Sequence, residues 1–239
     1  MSLKLVLFDL DGTLLPMDQD VFVKSYFKGI SSYLVNYGYE PKKLIESIWL
    51  GTNDMIKNDG TKTNEEAFWN RFELIYNRDV REDEPHFQEF YVKHFDEIKN
   101  VCGYDSLAKE TVIKLKKMGL RVGLATNPIF PSIATEKRIS WTGLKYSDFE
   151  IFTTYENSHY CKPNLRYYEE ILYKLGVTPS ECLMVGNDVN EDMIAEQMGM
   201  KVFLIKHSLI NKYDKDISKY PQGDFNDLLE YVKKLSMDI

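Results

Sequence analysis

From residue 101 onward, short apolar runs alternate with amphipathic stretches, and this alternation limits the fold more than any other feature of the chain. Ser106 to Met118 reads as a helix stopped by Gly119, and "RVGLAT" follows as a buried strand. Pro131 to about Trp141 is a second helix and "FEIFTT" a second strand. Asn164 to Leu175 puts Leu165, Tyr168, Ile171, Leu172 and Leu175 on one helical face before Gly176 ends it. "CLMV", a helix over Asn190 to Met198, "KVFLI" and a closing helix over Asp224 to Leu235 complete the series. Strands separated by helices of this length form parallel sheets with helices on both faces. The expected fold class is α/β, with a Rossmann-like parallel-sheet core. The apolar run Leu3 to Phe8 supplies its first strand.

Between that strand and residue 100 every segment reads as helix. Phe22, Tyr26, Ile30, Tyr33, Leu34 and Tyr37 recur at helical spacing. Pro41 suits a first turn ahead of Leu44, Ile45, Ile48 and Trp49, and Thr63 with Glu66 forms a capping-box pattern before Phe68, Phe72, Ile75 and Tyr76. A fourth helix is expected from about Pro85 to Ile98. Fifteen of the 32 aromatic residues lie between residues 20 and 100, which argues for a packed unit rather than a loop. Residues 1–15 and 101–239 are therefore expected to form the α/β core, and residues 16–100 an inserted all-helical cap. Leu14 to Asp18 and Asn100 to Asp105, with Pro16 and Gly103, are the candidate hinges.

Charge and cysteine content exclude several function classes. The formal charge is −7, and residues 16–100 hold 11 basic against 16 acidic side chains, so neither part offers the clustered Lys and Arg that nucleic acid requires. No apolar run reaches membrane-spanning length, and the N-terminus lacks the pattern of a secretory signal; a cytoplasmic protein is expected. Cys102, Cys161 and Cys182 are odd in number and form no CxxC pair, which argues against disulfides or zinc. His86, His94, His159 and His207 are scattered and suggest no ligand set. The oligomeric state is not legible.

Ligands of open parallel sheets sit beyond the carboxyl ends of the strands. The expected strands end in Asp9 and Asp11, in Thr126 and Asn127, in Lys162 after a short loop, and in "GNDVNED" with Asp188 and Asp192. Each has an ordinary structural reading alone. Asp-Gly is a common turn, Thr126 suits a cap, Lys162 suits a solvated surface, and Asp188 and Asp192 suit a helix start. A calcium loop counted from Asp9 fails, because its sixth and twelfth positions are Leu14 and Asp20. Together, however, these residues would bring acids, a hydroxyl and a lysine to one sheet edge. Asp9, Asp11 and Asp188 would repel one another unless a cation sat among them, and hard oxygen ligands open to water suit Mg²⁺. A phosphate can approach acids only when a metal and a lysine neutralise it, after which a carboxylate can attack phosphorus.

The order "DLDGT", "ATN", "KPNLRYY" and "GNDVNED" resembles the four motifs of the haloacid dehalogenase superfamily, nearly end to end over the core. The insertion resembles the cap that many members carry after the first motif. The resemblance implies a Mg²⁺-dependent phosphatase of a small phosphorylated metabolite. It makes Asp9 the nucleophile and a metal neighbour, and Asp11 the acid and base, with its backbone carbonyl on Mg²⁺. Thr126, Asn127 and Lys162 would bind the phosphoryl group, Asp188 the metal, and Asp192 would support it directly or through water. Many relatives have aspartate where this chain has Asn187, which leaves open whether Asn187, Asp188 or Asp192 touches the metal. Asp11 favours phosphate esters over carbon–halogen bonds, since a leaving alkoxide needs a proton and a halide does not. A phosphosugar mutase and a non-catalytic phospholigand- or partner-binding domain are the alternatives.

Overall fold

The computed structural model describes residues 3–237. Five strands, β1 (Leu5–Phe8), β2 (Arg121–Leu124), β3 (Cys182–Gly186), β4 (Lys201–Ile205) and β5 (Gln222–Gly223), form one sheet in the order β2-β1-β3-β4-β5. Every pairing is parallel. The unbroken "LVLF" of β1 follows from this position. Alternate side chains enter opposite faces, so Val6 and Phe8 join one apolar cluster while Leu5 and Leu7 join the other. All four are fully buried.

The register also positions what comes after the strands. Phe8 pairs with Leu124 on one side and Val185 on the other. Asp9, Ala125 and Gly186 therefore emerge level, with Thr126 and Asn187 one residue beyond. For the order 2-1-3-4-5 the topological switch point lies between β1 and β3, where a crevice is expected.

Between β1 and the rest of the sheet run α1 (Gln19–Leu34), α2 (Pro41–Ile56), α3 (Asn64–Tyr76) and α4 (Glu84–Lys93). Asp18 caps the first through its side chain, Pro41 opens the second, and Thr63 with Glu66 closes a capping box on the third. Their aromatic faces meet in edge-on contacts such as Trp69 with Phe87 (5.1 Å) and Tyr26 with Phe95 (6.3 Å). This cluster is continuous with one face of the sheet, and Phe95 stacks on Trp141 at 5.2 Å. Burying one such ring contributes about 2 kcal/mol. Truncating Phe72, which is fully buried, should therefore cost about 3–5 kcal/mol.

The remaining helices are α5 (Ser106–Lys117), α6 (Ser132–Trp141), α7 (Leu165–Leu175) and α8 (Phe225–Met237). No helix of the described residues is long and apolar enough to cross a membrane.

Three expected elements differ. "FEIFTT" is not a strand: the chain runs beside β2 and makes one parallel bridge, Phe152 to Leu124. A turn in which the Asn157 amide donates to the Phe152 carbonyl then draws it away. The helix expected over Asn190 to Met198 is instead a 3₁₀ turn, Met193–Met198, in which the Ala195 amide bonds three residues back to the Asp192 carbonyl. The helix expected from Pro85 to Ile98 breaks at His94 and continues as a 3₁₀ segment, Phe95–Val101.

The helical segment touches the rest of the protein on two sides. Where the chain enters and leaves it, Met17 and Cys102 form an antiparallel bridge, and the Gly103 amide donates to the Pro16 carbonyl at 2.6 Å. On the other side Asn64, fully buried, donates from Nδ2 to the Pro128 carbonyl (3.2 Å) and from its backbone to the Ser158 carbonyl (2.9 Å).

Candidate active site

A cleft of about 150 Å³ opens at the carboxyl ends of β1, β2 and β3. It is lined by Asp9, Asp11, Thr126, Asn127, Asn187, Asp188, Glu191 and Asp192. Lys162 lies beneath its floor, reached from the loop before α7, and is 1% exposed. The ends of strands far apart in sequence thus converge as the register dictates.

Asp9 is held from two sides. Its Oδ1 accepts from Lys162 Nζ at 2.9 Å, and its Oδ2 lies 3.2 Å from the Thr13 hydroxyl. That hydroxyl is also 3.0 Å from Asn187 Oδ1, so its single proton is shared. Lys162 donates a second bond to Asp192 Oδ1 at 2.6 Å. Burial works against the lysine's charge, yet Asp192 and Asp9 together hold its ammonium well above the ordinary range. A buried cation with two carboxylate partners stays charged.

Asp11 sits in a different environment. Its Oδ2 accepts a short bond from the Arg138 guanidinium, which α6 delivers to the cleft wall fully buried and stacked 4.5 Å from the Phe130 ring. Its Oδ1 is buried without a hydrogen-bond partner. Burial raises the Asp11 pKa, opposed by Arg138 and assisted by Asp9. Two aspartates two residues apart therefore differ, one pinned by an ammonium and a hydroxyl, the other tethered by one oxygen.

The "GNDVNED" loop is shaped by its own hydrogen bonds. Asp188 Oδ1 accepts the backbone N–H groups of Asn190 (2.6 Å) and Glu191 (2.9 Å). Asp192 is fully engaged, with Oδ1 on Lys162 and Oδ2 accepting the Asp188 amide at 3.0 Å. Burial raises its pKa against the pull of Lys162. Asn187 accepts from Thr13 and donates to the Ser208 carbonyl at 2.7 Å, so its amide orients neighbours. Two glycines make this packing possible. A Cβ on Gly186 would stand 2.0 Å from Asp192 Oδ2, and one on Gly12, whose φ is +87°, 2.3 Å from Asn187 Nδ2.

Thr126 is anchored by its backbone, whose carbonyl accepts from Thr153 Oγ1 (2.6 Å) and Tyr167 Oη (2.8 Å). Asn127 donates to Glu191 Oε2 at 3.1 Å, and its own Oδ1 is buried without a partner. Burial pushes Glu191 up to about 8.

Three participants lie outside the sequence expectation: Thr13, Arg138 and Glu191. Thr13 and Glu191 stand inside the quoted motifs, where their side chains signal polarity but no partner. Arg138 carries no local signal at all, because its partner is 127 residues away.

Among the described residues, no three His, Cys, Asp or Glu side chains are gathered to hold a metal by themselves. The donor set nevertheless fits Mg²⁺, which is commonly held by one or two carboxylates, with waters and substrate phosphate completing its shell. Asp11 Oδ1 and Asn127 Oδ1 are buried oxygens with no protein donor, which is what an incoming cation or a protonated ligand satisfies.

The pyrophosphatase PpaX of Bacillus cereus (strain AH820) is 27% identical over 214 residues, covering 87% of this chain and 86% of the relative. A crystal structure of a HAD phosphatase from Thermococcus onnurineus has a TM-score of 0.61 at 19% identity, covering 96% of this chain and 98% of the other. A 2-haloacid dehalogenase from Pseudomonas syringae pv. Tomato DC3000 has 0.66 at 20% identity, with 97% and 99% covered. Both structures share the fold. Residues 3–199, most of the chain, match the haloacid dehalogenase-like hydrolase family, and the chain belongs to it.

Proposed function

We propose that the protein is a Mg²⁺-dependent phosphatase that hydrolyses a small phosphorylated metabolite through an aspartyl-phosphate on Asp9. Residues 16–100 act as the cap over a core of residues 1–15 and 101–239. The observation that carries this reading is the contrast between Asp9 and Asp11. Enzymes separate nucleophile from acid by giving two carboxylates different surroundings. Here Lys162 and Thr13 orient Asp9, while burial favours the protonated form of Asp11 and Arg138 leaves its Oδ1 unoccupied.

In the first step an Asp9 oxygen bonds to phosphorus as the ester P–O bond breaks. Asp11 delivers its proton from Oδ1 to the departing oxygen. In the second step Asp11 takes a proton from water, whose oxygen attacks phosphorus and releases Asp9 and inorganic phosphate. Lys162, Thr126 and Asn127 neutralise and orient the phosphoryl oxygens. Asp188, with Asp9 and the Asp11 backbone carbonyl, would hold Mg²⁺, and Asp192 supports that end by fixing Lys162 and the Asp188 amide. The metal, when bound, offsets the charge of the phosphate among these acids.

Hydrolysis of p-nitrophenyl phosphate with and without Mg²⁺ tests the reading. Asp9→Asn should lower kcat by roughly 10⁴-fold and abolish the acid-stable phosphoryl adduct at residue 9. Activity that survives this substitution, or is indifferent to chelation, sinks the proposal. The name of the Bacillus relatives adds pyrophosphate to the substrates worth assaying.

A further inference from the structure

A second cavity, of about 100 Å³, adjoins the cleft on the side of the helical segment. Val23, Ile129 and Phe130 line both, so the two spaces share a wall. Nine of its sixteen lining residues are aromatic, and Glu84 is its single charged one. No lysine, arginine or histidine lines it. Two cations stand over its rings from outside, each already paired: Arg81, over Trp69, with Glu65 at 2.7 Å and Glu84 at 3.1 Å, and Arg138, over Phe130, with Asp11.

From this arrangement we infer, resting on the phosphatase reading above, that the leaving group of the substrate is uncharged and largely apolar, about the size of one ring. A phosphoryl group seated on Asp9 would project its leaving group away from the strand ends, and the enclosed space that shares a wall with the cleft is the aromatic pocket. Apolar walls of this kind gain from covering a ring or short hydrocarbon. A second phosphate or a carboxylate placed there would lose its hydration, find no cation, and face Glu84, so it is excluded twice over. Polar handles are few. Trp69 Nε1–H is buried near the Tyr155 hydroxyl without completing a hydrogen bond, and Gln88 and Thr52 lie on the wall. They suit a single hydroxyl or carbonyl on the ring. By this logic inorganic pyrophosphate and phosphoglycolate, whose departing portions are anionic, are poor substrates of this chain.

The test combines binding with turnover. Fluorine NMR of 4-fluorophenol should show binding to the wild type and to Asp9→Asn alike, weakened about tenfold or more by Thr52→Phe, which fills the pocket. With Mg²⁺, kcat/KM for phenyl phosphate should exceed that for pyrophosphate by about a hundredfold, and Gln88→Lys should narrow that gap by about tenfold by supplying the missing cation. The inference is overturned if 4-fluorophenol does not bind, if Thr52→Phe folds and leaves its binding unchanged, or if the wild type hydrolyses pyrophosphate as well as phenyl phosphate. Should Thr52→Phe fail to fold, the Gln88→Lys comparison decides alone. Binding of 4-fluorophenol without hydrolysis of any ester would support the pocket's ligand class and remove the phosphatase reading.

Discussion

On the cleft floor each charged side chain is held by another group, whereas the pocket beside it is walled by aromatic rings and has a single carboxylate. The floor is polar because register forces it. Strands that stop level with one another leave Asp9, Thr126 and Asn187 side by side, and only mutual hydrogen bonds make such burial tolerable. The helical segment is under no such constraint, and its rings pack wherever helical spacing puts them. In the proposed function, bond-breaking would fall to the strand ends and selectivity largely to the helical segment, with Ile129, Phe130, Pro131 and Tyr155 adding to the pocket wall. Changes to one can be separated from changes to the other.

The sharpest separation is at Asp11. Asp11→Asn removes the proton that the leaving group needs, and should lower kcat by about 10²–10⁴-fold for phenyl or alkyl phosphates. The loss should shrink for p-nitrophenyl phosphate, whose leaving group departs without help. Equal losses on both esters would break the division between floor and pocket. Next in size is Arg138→Met, which strips the buried carboxylate of its partner. It should destabilise the fold by about 3 kcal/mol in denaturant titration and reduce kcat with little change in KM, since Arg138 touches Asp11 rather than substrate. A changed KM with unchanged kcat would place Arg138 with the pocket instead. The smallest effect is expected from Asn64→Ala, which frees the Pro128 carbonyl and the Asn58 amide. It should cost about 1–3 kcal/mol and raise KM for phenyl phosphate more than it lowers kcat.

The sheet was legible because parallel strands buried on both faces are written as continuous apolar runs, and the motif residues follow those runs directly. Asp9, Asp11, Thr126, Asn127, Asp188 and Asp192 line one cleft for that reason, and Lys162 reaches it from below. "FEIFTT" looks like a strand by composition, but neighbouring turn residues determine how far it pairs, and composition does not encode that. The segment expected as a helix over Asn190 to Met198 likewise tightens into a 3₁₀ turn over Met193–Met198, which the helical spacing of its residues does not reveal. Arg138 was hidden because a buried ion pair is a relation between distant residues. Trp69 is buried within the helical segment. Its cavity-facing edge depends on how four helices lean together, which spacing along one of them does not reveal.

The paired backbone at Pro16–Met17 and Cys102–Gly103 has a mechanical consequence. Both passages of the chain into the helical segment lie along one edge, like a panel hung on a single jamb. If the segment acts as the proposed cap, a swing that uncovers Asp9 would pivot there, and the contacts to be released would include the cluster around Asn64 and the bonds from Lys137 and Trp141 to Asp96. On that reading, product escape would depend on contacts made away from the phosphoryl site.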